Sequence, residues 1–214
     1  MTVGHRDGRR PALCQARADP RGKTRVIDES IRIATGLSLS VGRSAAEPGE
    51  GAAELAPMLR ALFGSPGPIL DRTLLADLRA APDGRYWMLE DLQASLERAA
   101  LDAPVVVCLD DLQWADAGTA ATLRLLPGRL ASEPILWLLA ARPDESPAPV
   151  RTAFDQLAGD GAVRIVLEPL PAPAVEQVVA ETLGAEPDSE LLLMAREAGG
   201  NPFFLVELLL GLAR

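Results

Sequence analysis

Two short segments of this sequence carry residue types that bind phosphate and magnesium. Gly22-Lys23-Thr24 lies within the stretch ARADPRGKTR, and Asp110-Asp111 follows the apolar run VVVCL. A lysine and a hydroxyl at the start of a helix suit a phosphate, because unpaired backbone N–H groups and the helix dipole favour an anion there. In that arrangement Lys23 would reach the β and γ phosphates of a nucleotide, and Thr24 would be a ligand of Mg²⁺.

The two adjacent aspartates have two interpretations. Burying two carboxylates without a cation is costly. In the first interpretation, therefore, Asp110 holds Mg²⁺ and Asp111 polarises an attacking water. In the second, both are loop residues that cap the following helix. Their position after an apolar strand is where ligands of open α/β sheets bind, and on these residues alone both interpretations stay open. The Gly22-Lys23-Thr24 triplet at the start of the first helix favours the first interpretation.

Lysine usage points to the same phosphate-binding segment. The chain has 21 basic residues, of which 20 are arginine and the single lysine is Lys23. Codon bias explains an excess of arginine, but it does not explain where the one lysine stands. The triplet alone is weak evidence, and the strand with Asp110-Asp111 downstream strengthens it.

Charge and composition exclude several classes of protein. The net charge of −9 argues against nucleic-acid binding by the body of the chain, because binding to phosphates needs clustered cations. Residues 1–25 hold six arginines and Lys23 against two aspartates, and we expect 1–21 to be a basic, disordered leader. The absence of a long apolar run or a signal-peptide core predicts a cytoplasmic protein without a membrane partner.

The histidine and the two cysteines provide little material for other chemistry. His5 is the single histidine, so the composition disfavours both a His-based zinc site and a Ser-His-Asp triad. Cys14 and Cys108 are far apart, and Cys108 lies within an apolar strand-like run. We therefore predict a buried, reduced thiol at Cys108.

Apolar periodicity predicts the elements that position these residues. Helix-like and strand-like segments alternate up to residue 170, which predicts an α/β domain over 22–170 with a mostly parallel, doubly wound sheet. Three helix-like segments then follow without a strand and predict a helical lid over 171–214, with a boundary near Pro169 to Pro173. The predicted helices cover 23–36, 52–63, 85–100, 116–126 and 149–158, and the predicted strands 37–42, 103–111, 134–142 and 162–170.

Three segments carry a resemblance to a known family. The stretch VVVCLDDLQWAD (105–116) resembles the Walker B segment of the large ATP-binding LuxR-type regulators, which belong to the STAND branch of AAA-like P-loop ATPases. AARPDE (140–145) is similar to their sensor segment, and AGGNPFFLVELL (198–209) to the motif that closes their ATPase module. Related modules occur beside class III adenylate cyclase domains.

The resemblance implies a three-layer P-loop NTPase fold and a nucleotide switch for signal transduction and transcriptional regulation. ATP and Mg²⁺ would be its cofactors, with slow hydrolysis or none. Arg142 would sense the γ-phosphate, the alternative being an ordinary surface arginine. The lid residues Gly200, Asn201 and Pro202 would contact the nucleotide, the alternative for Pro202 being a simple helix start. Gly22 and Arg25, beside Lys23 and Thr24, are assigned to the same nucleotide site, and the apolar stripes LLLMA and FFLVELLL are expected to be core.

The sequence departs from the family pattern at the phosphate loop. Arg17 stands where the first glycine belongs, and Pro20 where many relatives have another. A non-glycine residue at positive φ costs about 1–2 kcal/mol, and proline has no N–H to offer a phosphate. Only PALC is apolar ahead of this loop, so we predict that the preceding strand is missing or replaced. The family continues into a DNA-binding region, and the end at Arg214 suggests an isolated module.

Three functions are consistent with these features. The first is an ATP·Mg-binding switch. The second is a degenerate, non-catalytic module that acts through a protein partner or self-association. Direct DNA binding is the third, and the acidic body and the lack of a helix-turn-helix oppose it.

Overall fold

The computed structural model describes residues 12–16, 22–49, 54–64, 67–71, 73 and 84–212, and for 12–16, 84–87 and 212 it describes the backbone alone. The predicted departures at Arg17 and Pro20, and His5, lie outside these residues. Within the described ranges, no helix is both long enough and apolar enough to cross a bilayer.

A single parallel sheet organises the described part of the chain. Its strand order is β2-β3-β4-β1-β5, and every neighbouring pair is parallel. All residues of β3 are buried, as is typical of a strand inside a sheet that is covered on both faces. The mostly parallel sheet predicted from the sequence is therefore confirmed. The strands are β1 (Ala12–Ala16), β2 (Ser40–Ala45), β3 (Val105–Asp110), β4 (Ile135–Ala141) and β5 (Val163–Leu167).

Alternate side chains of β3 and β4 face the two helical layers. On one face, Val106 and Cys108 of β3 pack with Ile27 and Ala34 of α1. On the other face, the alternate residues, such as Val107, join a larger core with the remaining helices of this domain. This period of two is what a pleated strand imposes, and it produces three layers. The flanking helices are α1 (Gly22–Gly36), α2 (Ala56–Phe63), α3 (Gly84–Asp102), α4 (Ala117–Arg129) and α5 (Ala148–Gly159).

The strand that the sequence analysis expected to be missing is present. β1 covers Ala12–Ala16 and lies between β4 and β5, so part of the predicted leader belongs to the sheet. Residue 14 is in register with Ala140 on one side and Ile165 on the other. The prediction was wrong because a short strand that is paired on both sides depends on its neighbours more than on its own apolar pattern.

Two other boundaries differ from prediction. β2 begins at Ser40 instead of residue 37, because the amide of Leu37 still donates to the carbonyls of Ile33 and Ala34 at the end of α1. α4 does not stop at Pro127 but runs to Arg129. Pro127 is buried and stands in the last turn, where a proline removes only one helical hydrogen bond.

Three helices after β5 form a small separate core. They are α6 (Ala172–Leu183), α7 (Ser189–Glu197) and α8 (Pro202–Leu212). Val179, Ala195 and Leu205 are among the residues buried between them. The stripes expected to be core are only partly so, because α7 and α8 also expose Leu193 and Phe204. A helix whose apolar residues cover more than one face cannot bury all of them in a three-helix cluster.

Candidate functional site

The predicted site residues follow strands whose carboxyl ends share one edge of the sheet. β3 ends at Asp110 and β4 at Ala141, and the two strands run parallel with Leu109 opposite Leu139. β1 ends at the same edge, with residue 15 opposite Ala141, and α1 begins at Gly22. This edge is where ligands of open α/β sheets bind.

Lys23 is a buried cation in the first turn of α1. Only 4% of its surface is exposed, and no described residue accepts a hydrogen bond from its ammonium group. Burying an ammonium group without a counter-charge is costly. The helix start, with its free N–H groups, adds to the positive potential at this point. The surroundings of Lys23 are therefore suited to an anion.

Thr24 and Asp110 meet across 86 residues of sequence. Thr24 Oγ1 donates to Asp110 Oδ2 at 2.8 Å, and Asp110 is 3% exposed. The second oxygen, Oδ1, accepts from the amide of Asp111 at 2.8 Å. A hydroxyl and a carboxylate in contact are oxygen ligands of the kind that Mg²⁺ takes together with phosphate oxygens. Among the described residues, no cluster of three or more His, Cys, Asp and Glu side chains could hold a metal.

Asp111 has an unusual backbone conformation. Its φ of 49° and ψ of 37° are left-handed, a region that non-glycine residues adopt at a cost. It opens a short 3-10 turn, Leu112–Trp114, but its side chain makes no capping hydrogen bond. α4 is instead capped by Asp116, whose Oδ1 accepts from the amide of Thr119. The interpretation of Asp110 and Asp111 as helix caps is therefore wrong.

Gln113 is a site residue that the sequence analysis missed. It is 3% exposed, and its Nε2 donates to Asp111 Oδ1 at 2.9 Å. Its Oε1 accepts from the backbone amide of Arg142 at 3.1 Å. The sequence feature that could have identified Gln113 is a single amide side chain between Leu112 and Trp114, shortly after a buried strand.

Arg142 is the first residue after β4, as predicted. Its guanidinium is paired with Glu145, with Nη1 at 3.0 Å from Oε1 and 3.2 Å from Oε2. Its carbonyl accepts from Ser146 Oγ, which fixes the turn that follows the strand. A role for Arg142 at a γ-phosphate stays a prediction.

The residues Gly200, Asn201 and Pro202 have structural roles of their own. Gly200 has a φ of 73°, and a Cβ there would lie 2.5 Å from the carbonyl oxygen of Leu170. The Gly200 carbonyl also accepts from the Leu170 amide, which ties α8 to the segment after β5. Asn201 Oδ1 accepts from the Phe203 amide, and Pro202 is the first residue of α8. These hydrogen bonds do not involve a nucleotide, so the predicted contact of the three residues with one stays a prediction.

Two further predicted binding residues lie at the start of α1. Gly22 is its first residue, and a Cβ there would make an ordinary contact of 3.7 Å with Leu167. Arg25 is exposed. The pKa of Glu29 is lowered mainly by its hydrogen bond from Arg32, with a smaller contribution from Arg25. The described neighbours of Gly22 and Arg25 therefore neither support nor oppose their assignment to a ligand.

Cys108 is a free, buried thiol, as predicted. Burial raises its pKa to about 12. The thiol is therefore neutral at physiological pH and does not act as a nucleophile.

No family model matches the chain, and no curated protein matches it significantly. Solved structures do share its fold. The ORC2 protein of Aeropyrum pernix, in ADPNP-ADP complexes, is 16% identical with a TM-score of 0.56, over 92% of this chain and 54% of that one.

Two more structures give the same result. A RuvB variant of Thermotoga maritima is 14% identical with a TM-score of 0.52, over 93% of this chain and 53% of that one. A DNA replication initiation factor is 14% identical with a TM-score of 0.51, over 92% of this chain and 52% of its own. The chain thus spans about half the length of these structures. At such identity the likeness establishes the fold alone, and the predicted three-layer fold of P-loop NTPases is confirmed.

Proposed function

We propose that the chain binds ATP with Mg²⁺ at the carboxyl edge of the sheet, between the start of α1 and the ends of β3 and β4. One observation carries the proposal. Lys23, buried and without a described partner, is followed directly by Thr24, which contacts the buried carboxylate of Asp110. A triphosphate would place a negative charge beside Lys23.

Each residue has a role that follows from its chemistry. Lys23 and the N–H groups at the start of α1 would bind the phosphates, with Gly22 and Arg25 beside them. Thr24 and Asp110 would hold Mg²⁺, which neutralises phosphate charge when it is bound. Asp111 would orient a water. The Aeropyrum pernix ORC2 structures, one with ADPNP and ADP and one in an ADP form, support a nucleotide on this fold.

We further propose that the module is a cytoplasmic switch of the STAND type, descended from a LuxR-type regulator, with slow hydrolysis or none. The ordered motifs LDDLQWAD, AARPDE and GGNPF support this assignment. In the ATP-bound state Arg142 would reach the γ-phosphate, and Gly200, Asn201 and Pro202 would place the lid helices against the nucleotide. The departures Arg17 and Pro20 are the reason to expect weak turnover.

The first test replaces the buried cation. We expect Lys23→Ala to weaken ATP binding about 10- to 100-fold, since a hydrogen bond to a charged group contributes about 1.5–3 kcal/mol. Isothermal titration calorimetry of the intact chain measures the affinity. Arg32→Ala is the matched control, because Arg32 is an exposed cation on the same helix, and it should bind as the wild type does. Wild-type protein that binds no ATP at high micromolar concentration would overturn the proposal.

The same titration tests the metal site. Asp110→Asn keeps an oxygen that can accept from Thr24 but removes the charge that attracts a divalent cation. We expect its ATP affinity to be the same with and without Mg²⁺, whereas the wild type should bind more tightly with Mg²⁺. Asp155→Asn, on the exposed surface of α5, should keep the metal dependence. Equal metal dependence in the wild type and Asp110→Asn would contradict the assignment of Asp110.

Exposed apolar side chains favour protein contact as a second function. Leu193 of α7 is 61% exposed, and Phe204 and Leu210 of α8 are 52% and 51% exposed. Exposed apolar side chains mark an interaction surface where they form one contiguous patch. ATP should raise the melting temperature if the first function holds, because a ligand that binds only the native state stabilises it. If ATP does not change the melting temperature, protein contact would be the favoured function.

A further inference from the structure

Gln113 is a buried amide whose two ends contact two different candidate site segments. Its Nε2 donates to Asp111 Oδ1 at 2.9 Å, and its Oε1 accepts from the Arg142 amide at 3.1 Å. The first partner follows β3 and the second follows β4. One side chain thus connects the carboxylate proposed to orient a water with the segment proposed to sense the γ-phosphate.

Both hydrogen bonds are partly buried, because Gln113 is buried while Asp111 and Arg142 are partly exposed. Gln113 is 3% exposed, and the preceding residue, Leu112, is fully buried. Removing one partner of a buried amide leaves the other polar atom unsatisfied, which costs about 1–3 kcal/mol. The two ends of Gln113 are therefore coupled, since displacement of the Arg142 amide would move the group that holds Asp111.

The geometry at Asp111 explains why it needs such a partner. Its left-handed backbone, with φ of 49°, follows directly after the strand. The Gln113 donor fixes Oδ1, and fixing one carboxylate oxygen also sets the direction of the other. A water-orienting group is effective only when it is held in place.

We propose that Gln113 is a positioning residue that couples γ-phosphate sensing at the end of β4 to the orientation of Asp111. This inference rests on the proposed ATP-binding function and deepens it. Gln113 itself touches no nucleotide. It makes the site respond differently to ATP and ADP, because only ATP has the phosphate that the Arg142 segment is proposed to sense.

Two substitutions separate this role from a general contribution to folding. Gln113→Glu keeps the side-chain length and an acceptor for the Arg142 amide, but it replaces the donor to Asp111 with a carboxylate that repels it. Gln113→Met has a similar volume and loses both hydrogen bonds. Gln156→Met is the matched control. Gln156 also bonds at both ends, donating to the Arg124 carbonyl at 2.9 Å and accepting from Arg124 Nε at 3.1 Å, but it joins α5 to α4 instead of the site segments.

The experiment measures dissociation constants for ATP and ADP, both with Mg²⁺, by calorimetry on the intact chain. We expect the wild type and Gln156→Met to prefer ATP over ADP. In Gln113→Glu and Gln113→Met the preference for ATP, which is the Kd for ADP divided by the Kd for ATP, should fall about tenfold or more. That change is the equivalent of one hydrogen bond to a charged group. ADP affinity itself should change less than about twofold, because Lys23 and the start of α1 still bind its phosphates.

Circular dichroism and melting without ligand confirm that each variant is folded. If one Gln113 variant is unfolded, the affinities of the other variant test the coupling. A parallel loss of ATP and ADP affinity, or an unchanged ratio, overturns the coupling while the ATP-binding function stands. Equal affinity of the wild type for ATP and ADP also overturns it. A wild type that binds neither nucleotide removes the proposed function and the coupling together.

Discussion

The side chains of Thr24 and Arg142 are each held by a carboxylate in this structure. Thr24 donates to Asp110, and Arg142 is paired with Glu145. Both contacts occupy groups that the proposed ligand would need. Thr24 and Asp110 would both turn to Mg²⁺, which keeps them together, whereas Arg142 would have to leave Glu145. If the proposed role of Arg142 holds, its ion pair with Glu145 would oppose the ATP-bound state.

This competition predicts that Glu145→Gln raises ATP affinity. An exposed ion pair contributes less than about 1 kcal/mol, so the gain is at most about fivefold. ADP affinity should not change, since ADP lacks the γ-phosphate. Calorimetric titration measures both. Glu90→Gln breaks an exposed ion pair of α3 with Arg129 of α4, and it should leave both affinities unchanged. A weaker ATP affinity in Glu145→Gln would show that Glu145 supports the site instead of opposing it.

The helix α4 is anchored by an N-cap that also secures α2. Asp116 is buried, and its Oδ1 accepts from the amides of Thr119 at 2.9 Å and Leu55 at 3.0 Å. Its Oδ2 accepts from the Thr119 hydroxyl at 2.5 Å. Leu55 precedes α2, so this aspartate joins two helices. Its sequence position next to the Walker B-like segment reflects a structural role.

We expect Asp116→Ala to lower the free energy of unfolding by about 2–3 kcal/mol, because it removes a cap and leaves buried donors unsatisfied. Asp188→Ala is the control, since Asp188 caps α7 through one exposed bond to the Leu191 amide at 2.8 Å. That change should cost about 1 kcal/mol. Urea denaturation followed by circular dichroism compares the two variants. Equal losses would contradict the double role of Asp116.

The predictability of individual elements depended on where their stability comes from. The apolar strand β3 was predicted, because it is specified by adjacent residues. β1 was missed, since its five residues are a strand only through pairing with β4 and β5. Lys23, Thr24 and Asp110 were predicted as one site. Thr24 does contact Asp110, and the binding role of the three residues stays a prediction. Gln113 was missed, because an isolated glutamine has no pattern.

The described part of the chain comprises a three-layer domain and a small helical cluster with its own core. Gly200 joins the cluster to the segment after β5, through the hydrogen bond of its carbonyl with the Leu170 amide. The outward side chains of α7 and α8 include Leu193 and Phe204. Burying such side chains against a second molecule would be favourable by about 25 cal/mol for each Å² of apolar surface.

These exposed side chains predict self-association through the helical cluster. The sedimentation coefficient should rise with protein concentration in the wild type and less steeply in a Leu193→Ser, Phe204→Ser variant. Analytical ultracentrifugation measures this. Leu101→Ser is the control, because Leu101 is 82% exposed but lies at the end of α3. A wild type that is monomeric at all concentrations would indicate that these residues have no role in self-association.

Residue types and their order along the chain were sufficient to indicate the α/β fold and to predict a nucleotide site at Lys23, Thr24 and Asp110, because apolar periodicity and local chemistry are properties of neighbouring residues. The insertion of β1 between β4 and β5 and the bridge from Asp111 to Arg142 through Gln113 depended on the folded chain. Parallel pairing and the bridge join residues far apart in sequence. Such contacts are set by packing, which no local pattern encodes.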